Sequence, residues 1–77
     1  MVDVRLAQVV AGVFQLDSRE ISPELGIGAI EGWDSLGHLN LVLRLEDAFG
    51  IRFTTEEIPQ LTSVEQIQKS LVEKGAI

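Results

Sequence analysis

Val2, Leu6, Val9, Val10, Val13 and Phe14 recur at three- and four-residue steps, which places them on one stripe of an α-helix and predicts a first helix from about Val2 to Leu16. Residues 17–33 lose that period and gather Asp17, Ser18, Ser22, Pro23, Gly26, Gly28 and Gly32, the composition of a long loop. Ile21, Leu25, Ile27 and Ile30 are expected to pin that loop across the helices. Structureless stretches of this length are uncommon in small domains and are usually functional. Asp34 is suited to cap a second helix, because its carboxylate can accept from the free N–H groups of the next turn. That helix is predicted to run to about Phe49, with Gly50 as its left-handed stop. Thr54 and Glu57 have capping-box spacing, but Pro59 disfavours helix at Ile58, so the third helical piece should be about one turn. A second box, Ser63 with Gln66, opens a last helix with Val64, Ile67 and Leu71 on one face, ending near Gly75. The expected fold is all-α, a four-helix bundle of three longer helices and one short third helix, with a long first loop.

The second helix carries more hydrocarbon than a small core needs. Leu41, Leu45 and Phe49 form one stripe, flanked by Val42 and Ala48. Leu36, Leu39 and Leu43 form another, centred roughly opposite. Two readings stand: the second stripe packs beneath the long loop or the third helical piece, or it is a docking strip for other proteins. Asn40 and Asp47 share its side and Glu46 lies on its flank, as a polar rim would.

Composition narrows the partners. The chain has 77 residues, enough for one core only, and 45% apolar with 23% charged residues is globular rather than disordered. A net charge of −6 argues against nucleic acid or anionic lipid and for basic protein partners. Residues 31–57 hold six acidic residues against Arg44 and Arg52, so most of that excess lies around the second helix. With no cysteine there is neither disulfide nor thiolate metal site, and a lone His38 makes a dedicated zinc site a poor expectation. The apolar stretch Val9 to Phe14 is far too short to span a bilayer, and no basic segment precedes a signal-like run, so a cytoplasmic protein is expected.

Ser35, first in its helix, should point outward and be open to modification; its plain alternative is a helix starter. Asp34, Ser35 and His38 also invite a hydrolase reading. A triad, however, needs a base-orienting carboxylate, an oxyanion hole and a pocket, for which so small a bundle has little room. His38 is better read as a partly buried histidine bonded to loop backbone, and the chain as no enzyme.

The run Gly32-Trp33-Asp34-Ser35-Leu36-Gly37-His38-Leu39, followed by Leu45-Glu46-Asp47-Ala48-Phe49-Gly50-Ile51 and by Leu61-Thr62-Ser63-Val64, resembles the acyl carrier proteins over nearly the whole chain. The resemblance implies a single acyl-carrier domain over 1–77, a likely-sized monomeric bundle in which a phosphopantetheinyl transferase moves 4′-phosphopantetheine from coenzyme A to Ser35, beside the cap Asp34. It further implies that acyl groups ride on that arm as thioesters. Acyl-transferring and acyl-modifying enzymes with basic patches would dock on Leu36, Leu39, Asn40, Leu43, Glu46 and Asp47, in fatty-acid, polyketide or related biosynthesis. Many fatty-acid carriers have acidic residues where this chain has Gly37 and Asn40, and Arg44 adds a positive charge, which brings a specialised pathway into view. Asp34 favours the acyl over the peptidyl class. The rival is an unmodified interaction module gripping one partner through Leu36, Leu39 and Leu43, with Trp33 either as its anchor or as a cover for the loop.

Overall fold

The computed structural model describes residues 2–77, and among them three α-helices form: α1 (Val4–Phe14), α2 (Ser35–Phe49) and α3 (Val64–Glu73). Each begins at a side chain that satisfies otherwise unpaired N–H groups. Asp3 accepts from Arg5 N and Leu6 N at 3.0 and 3.1 Å, Asp34 from Gly37 N at 2.9 Å, and Ser63 from Gln66 N at 3.2 Å. The Asp3 cap starts α1 two residues later than its apolar period suggests. At the other end Gln15 turns left-handed, φ 58°, and stops the helix before Leu16. Gly50, φ 64°, ends α2 where expected.

The four-helix description is corrected to three. The third helical piece is a single 3-10 turn, Ile58–Gln60, and a second such turn, Ser18–Glu20, lies in the first loop. The Thr54–Glu57 pair does close on itself, Glu57 Oε1 accepting from Thr54 N at 2.8 Å and Thr54 Oγ1 from Glu57 N at 3.1 Å. Pro59 then has no N–H to continue the ladder, so the box caps a turn instead of a helix. At its far side the Glu57 carboxylate takes the Lys74 ammonium at 2.9 Å and ties this segment to the end of α3.

The core is built from one face of each helix: Leu6, Ala7, Val10 and Ala11 of α1; Leu41, Val42 and Leu45 of α2; Val64, Ile67 and Leu71 of α3. Ile21, Trp33, Phe53 and Leu61 close it from the connections. α1 lies against α2, and the Arg5 guanidinium sits 4.5 Å from the Phe49 ring centre across that seam. Of the four residues expected to pin the long loop, Ile21 is buried and Leu25 and Ile30 pack partly, but Ile27 is 47% exposed.

What holds the loop instead is backbone. Gly26 pairs antiparallel with Ser63; Ile27 N donates to Thr62 O at 3.2 Å and Val64 N to Leu25 O at 2.8 Å. A β-carbon on Gly26 would collide with the Thr62 carbonyl oxygen, so only glycine permits the approach. This bridge fastens the loop to the start of α3, and thereby sets where the loop delivers the chain to α2.

Two outcomes follow from these ties. Gly26→Ala should lower unfolding free energy by about 1–3 kcal/mol in urea titration, since the contact is with backbone and cannot give way; an unchanged midpoint would show the bridge to be dispensable. The Lys74 hydrogen bond, then the Thr54 N–H, hold the Glu57 carboxyl below the usual glutamate range. A depressed folded pKa gives stability that is full at neutral pH and lost as pH falls through the carboxylate range. Glu57→Gln should therefore melt below the wild type at pH 7, with the gap closing as the solution is acidified.

Candidate functional site

The first turn of α2 is assembled from the loop end and the helix start. The chain folds back on itself before the helix, Trp33 N donating to Ile30 O at 3.3 Å and Gly28 N to Trp33 O at 3.0 Å. Asp34 is then extended, φ −108° and ψ −164°, with its carbonyl accepting from His38 N at 2.8 Å. This geometry sends consecutive side chains opposite ways. Trp33 goes inward and is 1% exposed, while Ser35, first residue of α2, is exposed, with no hydrogen bond to its hydroxyl among the described residues.

His38 lies one turn after Asp34 and is buried. Its Nδ1 accepts from Trp33 Nε1 at 3.1 Å and its Nε2 lies 2.9 Å from Ile58 O. An indole N–H can only donate and a carbonyl can only accept, so the two partners together select the neutral ring protonated on Nε2. The Trp33 ring lies between Phe14, centroids 5.1 Å apart, and His38, 6.4 Å apart, both nearly parallel to it. The expected histidine bond to loop backbone is thus present, and the indole is a second partner that the sequence did not disclose. Parting both bonds with their groups still buried costs about 2–6 kcal/mol, as much as burying roughly three to seven methylene groups would return.

The same contacts dispose of two sequence readings. Both imidazole nitrogens are committed away from Ser35, and the Asp34 carboxylate is committed to Gly37 N, so these three residues do not form a hydrolytic relay. A Trp33 this enclosed cannot anchor a partner; it covers the loop against the bundle. Among the described residues no three His, Asp or Glu side chains gather as a metal site would need.

One further contact shapes the site. Gly37 lies so close to the Gly32 carbonyl oxygen that a β-carbon there would collide with it, and Phe14 packs against the same point. The absence of a side chain at position 37 is what lets the loop close on the helix.

Along the outer face of α2, Leu36, Leu39 and Leu43 are 69%, 51% and 62% exposed, so neither the loop nor the Ile58–Gln60 turn covers them. Asn40, Arg44 and Asp47 are exposed beside them. Glu46 is different. Its Oε2 accepts from Phe53 N at 2.8 Å and its Oε1 is 3.6 Å from Arg52, so it holds the chain that follows Gly50, leaving Asp47 as the outward carboxylate at this end.

An outward alcohol at the capped start of a 15-residue helix fits a phosphodiester. The positive helix end favours the anion, and no acidic residue stands in the first helical turn to repel it. Comparison with known proteins gives the same chemistry. The family described as the phosphopantetheine attachment site matches residues 4–69. An acyl carrier protein from Rubrobacter xylanophilus is 30% identical over 69 residues, which cover 90% of this chain and 85% of that protein. No helix among the described residues is long and apolar enough to cross a membrane. Matched over most of its length, the chain belongs to the acyl carrier protein family, whose cofactor is phosphopantetheine.

Proposed function

We propose that Ser35 is the attachment residue and that the protein carries acyl intermediates between enzymes without catalysing a reaction on them. The observation that carries this reading is the outward, unbonded hydroxyl of Ser35 on a helix start fixed by the Asp34 cap and the inward Trp33. A phosphopantetheinyl transferase using coenzyme A would modify it. When bound, the group supplies the thiol that this cysteine-free chain lacks, on which acyl groups are held as thioesters. Asp34 keeps the helix start ordered, the first turn of α2 favours the phosphate charge, and the tether raises the concentration of cargo at a docked enzyme.

Docking falls to the outer face of α2. Leu36, Leu39 and Leu43 give a desolvated centre, Asn40 and Asp47 its rim, and Glu46 contributes charge from a partly buried position. Electrostatic steering of a basic patch toward this face gives fast, salt-sensitive, reversible encounters, which suits a shuttle acting as a monomer in the cytoplasm. With Gly37, Asn40 and Arg44 along the helix, the face is less acidic than a string of carboxylates would make it. This favours a specialised acyl or polyketide pathway over the housekeeping fatty-acid cycle.

Incubation with coenzyme A, Mg²⁺ and a broad phosphopantetheinyl transferase should add one phosphopantetheine by intact-mass spectrometry, and Ser35→Ala should abolish the addition. A wild type that stays unmodified would favour the unmodified interaction module. For docking, Asp47→Lys should weaken association with a cognate enzyme roughly tenfold at low salt and flatten the salt dependence, with the melting curve unchanged. Equal affinity of the two proteins at low ionic strength would remove Asp47 from the interface.

A further inference from the structure

Around Ser35 the inward directions are closed by specific contacts. On one flank of the first α2 turn, Gly37 abuts the Gly32 carbonyl, with Phe14 against the same point. Below the serine, the Trp33 indole is held between Phe14 and His38 and hydrogen-bonded to the latter. On the next flank, His38 Nε2 holds Ile58 O and draws the Ile58–Gln60 turn against the helix. Further along, Leu41 and Leu45 are fully buried and Val42 is 3% exposed. A concavity of about 590 Å³ does lie on α2, but at its opposite end, lined by Leu43, Arg44, Glu46, Asp47, Ile51 and Arg52, half of them charged.

We infer that the acyl cargo stays outside the helical core and is therefore an acyl group without a long aliphatic tail, short or bearing polar groups. The inference rests on attachment at Ser35. For a tail to enter beside that residue it would have to displace Trp33 or part His38 from Ile58, leaving buried polar groups unpaired. A short acyl group has too few methylenes to offset that loss. A long tail kept outside would carry its apolar surface through water at every transfer, with only Leu36, Leu39 and Leu43 beside it. Cargo that needs no shelter is compatible with a closed core; cargo that needs shelter is not.

The test loads the full chain with acetyl-, butyryl- or octanoyl-phosphopantetheine from the corresponding acyl-coenzyme A, using a broad transferase, and compares melting and Trp33 fluorescence. Intact mass is read first: no gain, or a gain that persists in Ser35→Ala, refutes the attachment reading before any cargo is compared. With one group on Ser35, the three forms should share one melting midpoint and one emission maximum. Burying even a pair of methylenes would raise the midpoint by roughly 5 °C or more in a domain of this size. An octanoyl form that melts that much higher than the acetyl form, or that shifts the Trp33 emission, overturns the inference.

Discussion

The imidazole of His38 joins three parts of the chain that are distant in sequence. It takes a proton donor from the loop before α2 and gives its own N–H to the turn before α3, while its backbone belongs to α2 itself. Both bonds are shielded from water, where a satisfied polar network enforces one arrangement because every alternative leaves a group unpaired. The rest of the site follows from that constraint. With the indole held inward, the next two residues must leave the core, and the hydroxyl of Ser35 is delivered to the surface at a fixed point on the helix end.

The second organising feature is close backbone contact made possible by missing side chains. Gly26 against Thr62 and Gly37 against Gly32 bind the long loop at its middle and at its end. Between these contacts the loop needs little hydrophobic anchoring, which is why Ile27 can remain half exposed. The segment that reads as a flexible linker by composition is thus held by main chain, and only its Asp34–Ser35 exit is offered to solvent.

Much of this was legible in the residues and some was not. The bounds of α2 follow from Asp34 and Gly50 because both signals act within one helical turn. The start of α1 is set by Asp3, whose cap outweighs the apolar position at Val2. The third helical piece reads ambiguously, since the Thr54–Glu57 box and Pro59 oppose each other, and the missing N–H decides in favour of one turn. Outward Ser35 and the bare stripe of Leu36, Leu39 and Leu43 come from helical spacing alone. The Trp33 to His38 bond does not, because it depends on the path of a seventeen-residue loop that carries no period. Glu46 was equally opaque: a flank residue can turn either way, and the unpaired N–H of Phe53 turns it inward.

The division of α2 along its length has a kinetic meaning. Its inner half is locked to three other parts of the chain, while its outer leucines touch nothing in the protein and are already arrayed before any enzyme arrives. A visitor therefore meets a finished surface and has no refolding to wait for. The pace of exchange between one enzyme and the next is left to diffusion and to how quickly each visitor lets go, which is the behaviour of a turnstile and not of a clasp.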